Sequence, residues 1–129
     1  MGDCVADLYT IRQLGKEFGL TARAIRHYEE MGLLAPARRG LSRLYSENDR
    51  KRLRLILRGR RLGFSLEEIG EMLTLHYARP GEVRDPAESQ ARIAAHRAKL
   101  AELKEDVAMA LDWLQYLEGR LAQPMPKRA

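Results

Sequence analysis

Cysteine, long apolar runs and basic residues near the N-terminus are the features that this 129-residue chain has least of. The single cysteine, Cys4, permits no intrachain disulfide and fits a reducing compartment. No apolar run approaches the roughly 18 residues of a membrane span. The N-terminal segment carries acids instead of the basic residues with which a secretory signal begins. These absences predict a cytoplasmic protein that does not bind a membrane.

Signatures of catalysis and of metal binding are missing as well. The sequence has no Gly-rich phosphate loop, no paired carboxylates in a cleft motif and no nucleophile–base arrangement. Its histidines, His27, His76 and His96, are scattered without the spacing of metal ligands. We therefore expect no enzyme, no metal site and no cofactor.

Positive charge is collected in the first half of the chain. Residues 1–64 hold 14 Lys and Arg against 7 Asp and Glu, a net charge of +7, whereas residues 65–129 hold 9 against 11, a net charge of −2. A surface that served only solubility would not need this separation. The pattern predicts a polyanion-binding module followed by a nearly neutral extension.

Residues 21–34 form the stretch around which the rest is organised. Thr21 can cap a short helix and Gly32 can take the left-handed turn that ends it. Arg23, Arg26 and His27 would then lie on or near the face opposite the apolar Ile25. A short helix with arginines on one side suits the major groove of DNA, which admits one α-helix.

The preceding residues predict a supporting helix. Thr10 and Gln13 have the spacing of a capping box, and the helix should run to about Phe18 and stop at Gly19. A helix, a short turn and a second capped helix are the helix-turn-helix arrangement, in which residues 21–31 would be the recognition helix.

Residues 35–45 follow this helix pair as a basic, non-helical segment, because Pro36 and Gly40 exclude a helix. One interpretation is an ordinary surface loop; the other is a β-hairpin wing beside the groove. Its position directly after a helix-turn-helix favours the wing, in which three arginines would face phosphates: Arg38, Arg39 and Arg43.

Two further helices should follow, one capped by Ser46 and one by Ser65, with Gly63 between them. The first carries a run of basic residues that ends at Arg61. Such a run is commonly a solvated face, and here its C-terminal end could also lie against the DNA backbone.

From about Pro86 to Gln123 the sequence predicts one long helix with an a/d seam over more than four heptads, which argues for a coiled coil with a second copy. His96 lies on the seam, where it is more readily a register-setting polar residue than a metal ligand. Trp113, beside the seam, could pack on the DNA-binding half of the partner. The predicted dimerisation residues are Ile93, Leu100, Leu103, Val107, Leu114, Leu117 and Leu121.

Several spaced motifs resemble the MerR family of bacterial transcriptional regulators over about residues 9–75. A weaker likeness points to the family's regulators of branched-chain amino-acid and fatty-acid catabolism. The motifs are Tyr9-Thr10-Ile11 with Leu14, Thr21-x-Arg23-x-Ile25-Arg26-x-Tyr28-Glu29-x-x-Gly32-Leu33-Leu34, Arg43-x-Tyr45-Ser46 and Leu62-Gly63-Phe64-Ser65-Leu66-x-x-Ile69.

The resemblance implies a mostly α fold, a winged helix-turn-helix domain followed by a long C-terminal helix that forms an antiparallel coiled-coil homodimer. In the family, such dimers bind a near-palindromic operator inside a promoter whose spacer is too long for RNA polymerase. Bending and untwisting of that DNA realign the promoter elements, at an energy that depends on sequence the protein need not touch. The implied partners are therefore double-stranded operator DNA, RNA polymerase and a second copy.

Carried over residue by residue, the resemblance assigns recognition-helix contacts to Arg26 and Tyr28, phosphate or groove-edge contacts to Thr21 and Arg23, and wing contacts to Arg43 and Tyr45. Tyr28 could instead be mainly a core residue. His27 stands where the family often has Tyr or Phe. The full predicted DNA-binding set is Thr21, Arg23, Arg26, His27, Tyr28, Arg38, Arg39, Arg43, Tyr45 and Arg61.

The effector end departs from the family's metal sensors, which bind through cysteines near the tip of the dimerisation helix. This chain has no cysteine after Cys4, and its length leaves no room for the drug-binding domain of larger members. Three possibilities for the effector remain: a small organic or acyl-CoA ligand, a protein partner, or no effector. The rival interpretation is a coiled-coil interaction protein whose basic half binds nucleic acid without regard to sequence.

The predicted organisation has five parts. They are a flexible N-terminus at 1–8, the DNA-binding domain at 9–75, a hinge at 76–87, the dimerisation helix at 88–123 and a disordered tail at 124–129.

Overall fold

The computed structural model describes residues 8–124 of the chain. Most of the predicted flexible N-terminus and the predicted tail after Pro124 lie outside the described residues. The chain divides into two compact units between Glu82 and Val83.

The fold is mostly helical, with a small sheet in the first unit. Its elements are β1 (Leu8–Thr10), α1 (Ile11–Phe18), α2 (Ala22–Glu30), β2 (Ala37–Arg39), β3 (Ser42–Ser46), α3 (Glu47–Arg61), α4 (Leu66–Tyr77) and α5 (Pro86–Ala122).

Helices α1 and α2 form the predicted helix-turn-helix. Thr10 and Gln13 make the capping box of α1, and Gly19 ends that helix in the left-handed conformation at φ 68°. The Thr21 side chain accepts a hydrogen bond from the Ala24 amide and so caps α2. These local contacts place α2 directly after a tight turn.

The predicted wing is a β-hairpin of β2 and β3. Arg38 pairs with Arg43 in its register, and Gly40 takes φ 65° at its tip. Strand β1, which the sequence analysis did not predict, pairs antiparallel with the other edge of β3. Leu8, placed in the predicted flexible segment, is therefore the first residue of a strand.

The core of the first unit lies where α1, α2, β3, α3 and α4 meet. Helices α3 and α4 begin at the predicted caps, Ser46 and Ser65, each in a full capping box. The side chains that are fully buried are Leu14, Ile25, Tyr45, Leu53 and Ile56.

Helix α5 begins at the Asp85 cap with Pro86 in its first turn and runs for 37 residues. None of its residues, Pro86–Ala122, is buried in the single chain. On the predicted seam, Leu103 is 39% exposed and Leu114 is 52% exposed. Within the described residues, no helix has the length and apolar character needed to cross a membrane.

Candidate nucleic-acid interface

Helix α2 has a buried and an exposed face. Ile25 and Tyr28 point into the core, whereas Arg23, Arg26 and His27 are exposed. For Tyr28, the structure favours the alternative in which its ring is a core residue, since it is only 9% exposed. The exposed face can present two guanidinium groups and an imidazole to a ligand outside the protein.

The wing adds further cations beside this helix. Arg38 and Arg39 are exposed on β2, and Arg43, on β3, is half-buried. Guanidinium groups in this setting can each donate two parallel hydrogen bonds to a phosphate.

A carboxylate from α2 ties the helix to the wing. Glu29 Oε1 accepts a hydrogen bond of 2.7 Å from Arg43 Nε, and its Oε2 lies 3.5 Å from an Arg38 guanidinium nitrogen. The Tyr45 hydroxyl donates to the same Oε1 at 3.4 Å. Glu29 belongs to one of the sequence motifs, but its role could not be predicted, because only the folded chain shows what it contacts.

Tyr45, a predicted DNA contact, is a core side chain with 0% exposure. Burial, followed by the charge of Glu29, raises the pKa of its hydroxyl to about 12. Its ring cannot reach DNA unless the wing moves, so it serves to anchor β3.

A second ionic network, also missed from the sequence, joins α1 to α3. Arg50 binds Glu17 through two nitrogens, at 2.6 and 2.9 Å, and binds Glu47 at 2.9 Å. The Tyr9 hydroxyl donates to Glu47 at 2.7 Å. The Arg50 hydrogen bond lowers the pKa of Glu17, and the Tyr9 hydrogen bond lowers that of Glu47. The network links the helix-turn-helix to α3 and adds polar contacts to the apolar packing between them.

The remaining predicted site residues fall into two places. Thr21 is exposed at the start of α2, and Arg61 is exposed at the last residue of α3. The predicted dimerisation residues all lie on α5, in the second unit. Between residues 8 and 124 the structure holds no cluster of three or more side chains suited to a metal ion.

An exposed basic helix in a helix-turn-helix, with a hairpin wing beside it, defines a winged helix-turn-helix DNA-binding protein. The chain matches the family described as MerR HTH family regulatory protein over residues 9–75, and the family described as MerR, DNA binding, over residues 50–117. The chain belongs to the MerR family of DNA-binding transcriptional regulators, as its sequence motifs predicted.

Curated relatives support the same assignment. An uncharacterized HTH-type transcriptional regulator from Pseudomonas aeruginosa is 42% identical over 83% of this chain and 80% of its own length. A probable heavy metal-dependent transcriptional regulator from Haemophilus influenzae is 37% identical over 82% of each chain. Both relatives are named as regulators of transcription. The likeness to regulators of branched-chain amino-acid and fatty-acid catabolism stays a prediction.

Among solved structures, the chain is similar to HiNmlR, described as a MerR family regulator lacking the sensor domain, bound to promoter DNA. The TM-score is 0.65 at 23% identity, over 89% of this chain and 84% of that chain. At this identity the similarity shows the fold alone.

Proposed function

We propose that two copies of this chain bind a near-palindromic operator inside a promoter and regulate transcription by distorting that DNA. The observation that carries the proposal is the exposed seam of α5, in the same chain as an exposed basic recognition helix. A second copy would cover the seam and supply a second recognition helix. A dimer of this kind matches two half-sites, so the symmetry of the protein predicts the symmetry of the operator.

Charge along α5 supports an antiparallel pairing of the two helices. Residues 86–104 hold four basic and two acidic side chains, a net charge of +2, whereas residues 105–122 hold one basic and four acidic, a net charge of −3. An antiparallel coiled coil brings these unlike halves together, and a parallel one brings like halves together.

For DNA contact we propose the exposed members of the predicted set. Arg26 would read base edges in the major groove, with Arg23, His27 and Thr21 at its margins. The exposed wing arginines, Arg38 and Arg39, and Arg61 at the end of α3 would contact phosphates and so hold the protein in register.

The regulatory step is proposed from the family. Distortion of a promoter between bound half-sites would change how RNA polymerase meets it, at an energetic cost set by the sequence of the DNA. For the effector we propose a small organic or acyl-CoA ligand, if one acts at all. The single Cys4 cannot complete a thiolate metal site, although three relatives are named for heavy metals.

Selection of bound fragments from the source genome, followed by footprinting, tests this function. The expected result is one protected near-palindrome in promoters, bound by a dimer whose mass is measured by light scattering. Equal affinity for the selected fragment and for a scrambled duplex would instead indicate a sequence-blind nucleic-acid binder, and the proposal would then be wrong.

A further inference from the structure

The two strands of the wing present like charges to each other. Arg38 and Arg43 are direct partners in the register of β2 and β3. Like charges at opposed positions of an antiparallel pair destabilise it. The Glu29 carboxylate lies against both guanidinium groups, one oxygen for each, so the negative charge that offsets the repulsion comes from the recognition helix.

The two arms of this contact differ in strength. Arg43 donates through Nε at 2.7 Å and its side chain is 25% exposed, whereas Arg38 lies at 3.5 Å and is 58% exposed. A short, charge-assisted bond between shielded groups is strong, while an exposed ion pair at the limit of contact contributes little. A DNA phosphate can therefore displace the Glu29 carboxylate from Arg38 far more readily than from Arg43.

We propose that Glu29 and Arg43 are positioning residues that fix the wing against the recognition helix, and that Arg38 is the wing arginine released to a DNA phosphate. This inference rests on the proposed function and revises the sequence-based assignment of Arg43. A carboxylate beside DNA weakens binding to any duplex by repulsion. Its benefit must then lie in geometry, which matters most on the operator, because base contacts there require the recognition helix and the wing to be held in one orientation.

The direction in which one substitution changes operator affinity distinguishes a positioning role for Glu29 from a purely electrostatic one. Glu29→Gln removes a negative charge, and electrostatics alone would raise affinity for every duplex. If Glu29 positions the wing, affinity for the operator recovered by genomic selection falls roughly tenfold or more, as loss of a charge-assisted hydrogen bond implies. Affinity for a scrambled duplex should not fall. Glu30→Gln, the same change at the exposed neighbouring residue, should leave the operator-to-scrambled ratio unchanged.

The salt dependence of operator affinity distinguishes the role proposed for Arg38 from that proposed for Arg43. Each neutralised phosphate contributes about 0.9 to the slope of log K against log salt. Arg38→Gln should reduce the magnitude of that slope by about one, whereas Arg43→Gln should lower operator affinity and leave the slope unchanged. The double variant Glu29→Gln with Arg43→Gln should be no worse than either single variant. Should Arg43→Gln unfold, Arg43→Lys keeps the charge and tests the geometry.

The outcomes identify which idea fails. A wild-type protein that binds operator and scrambled duplex equally overturns the proposed function and this inference with it. A wild-type protein that prefers the operator, with Glu29→Gln preferring it just as strongly, overturns only the positioning role. A unit loss of slope for Arg43→Gln would return Arg43 to the phosphate-contacting set.

Discussion

Exposure separates side chains that can reach DNA from those that hold them in place. The family motifs contain both kinds, because the spacing of a motif does not report which way a side chain points. Arg23 and Arg26 lie on the open face of α2, whereas Tyr28 and Tyr45 fill the core behind it. The candidate site was thus predicted as a set of residues, but its division into contacting and anchoring members needed the fold.

Replacing Arg26 by alanine tests base readout directly. We expect Arg26→Ala to weaken operator binding by roughly 1–3 kcal/mol and to relax base preference at its contacted position. Titration of operator and single-base variants measures both effects. Arg23→Ala is the matched comparison. Because Arg23 is assigned to a phosphate or groove edge, its loss should weaken binding to all duplexes by the same amount. Equal losses on operator and random DNA for Arg26→Ala would count against its role in reading bases.

The raised pKa of Tyr45 predicts a dependence of stability on alkaline pH. The folded pKa of about 12 lies above the ordinary value of 10.0, so the folded state retains the proton longer than the unfolded state. The contribution of Tyr45 is complete below pH 10 and is lost as pH rises toward 12, at no more than about 1.4 kcal/mol per pH unit. Denaturant unfolding of the wild type and Tyr45→Phe over this range checks it, because phenylalanine cannot ionise. Parallel pH profiles of the two proteins would contradict the prediction.

Among the elements, those with local signals were predicted and those with distant causes were not. Four helices begin at caps readable from the sequence, such as Thr10 and Ser65, because a cap is a contact between residues three apart. Strand β1 has three residues, too few for an alternating pattern, and exists because β3 offers it an edge. The Glu29 contact spans 14 residues, so its partners are fixed only by the packing of α2 on the wing.

The helix-turn-helix also depends on a close approach that the sequence did not reveal. A Cβ at Gly15 would lie 2.7 Å from the carbonyl oxygen of Leu20, and the Leu20 amide donates to the Gly15 carbonyl at 2.9 Å. Gly15→Ala should therefore destabilise the first unit by on the order of 1 kcal/mol or more, in spite of alanine's higher helix propensity. Urea unfolding measures the change.

Gly119 supplies the control for this substitution. It lies in α5 with nothing within 4 Å of the position of a Cβ. Gly119→Ala should be neutral or stabilising, by up to about 1 kcal/mol. Equal stability changes for the two variants would show that the Gly15–Leu20 approach is unimportant.

At the scale of the whole molecule, the two units differ in how they are stabilised. The first unit has its own core, centred on residues such as Leu53 and Ile56. No residue of α5 is buried, and several of its apolar side chains, including Met109 and Trp113, are exposed to solvent. Most of a helix's stability in a protein comes from packing of its apolar face, so covering this stripe would stabilise α5.

Charges on the seam should therefore separate the proposed dimer. Leu103→Glu and Leu114→Glu each place a carboxylate where a partner's apolar side chain would pack, so we expect monomers with much weaker operator affinity. Light scattering measures the mass, and the folded first unit should persist by near-ultraviolet circular dichroism of its tyrosines. A variant that stayed dimeric would contradict the proposal that two copies pair through these residues of α5.

The open stripe on α5 has a consequence for dosage. If the helix gains its stability from a second copy, its folded fraction depends on how much of the protein is present. Dilution would dissociate the dimer and unfold α5 first. The monomers that remain would each keep one folded DNA-binding unit and would bind a single half-site with lower affinity than the dimer binds the operator. Occupancy of a promoter would then rise with roughly the square of the number of free chains, and the regulator would respond to its own abundance as well as to any effector.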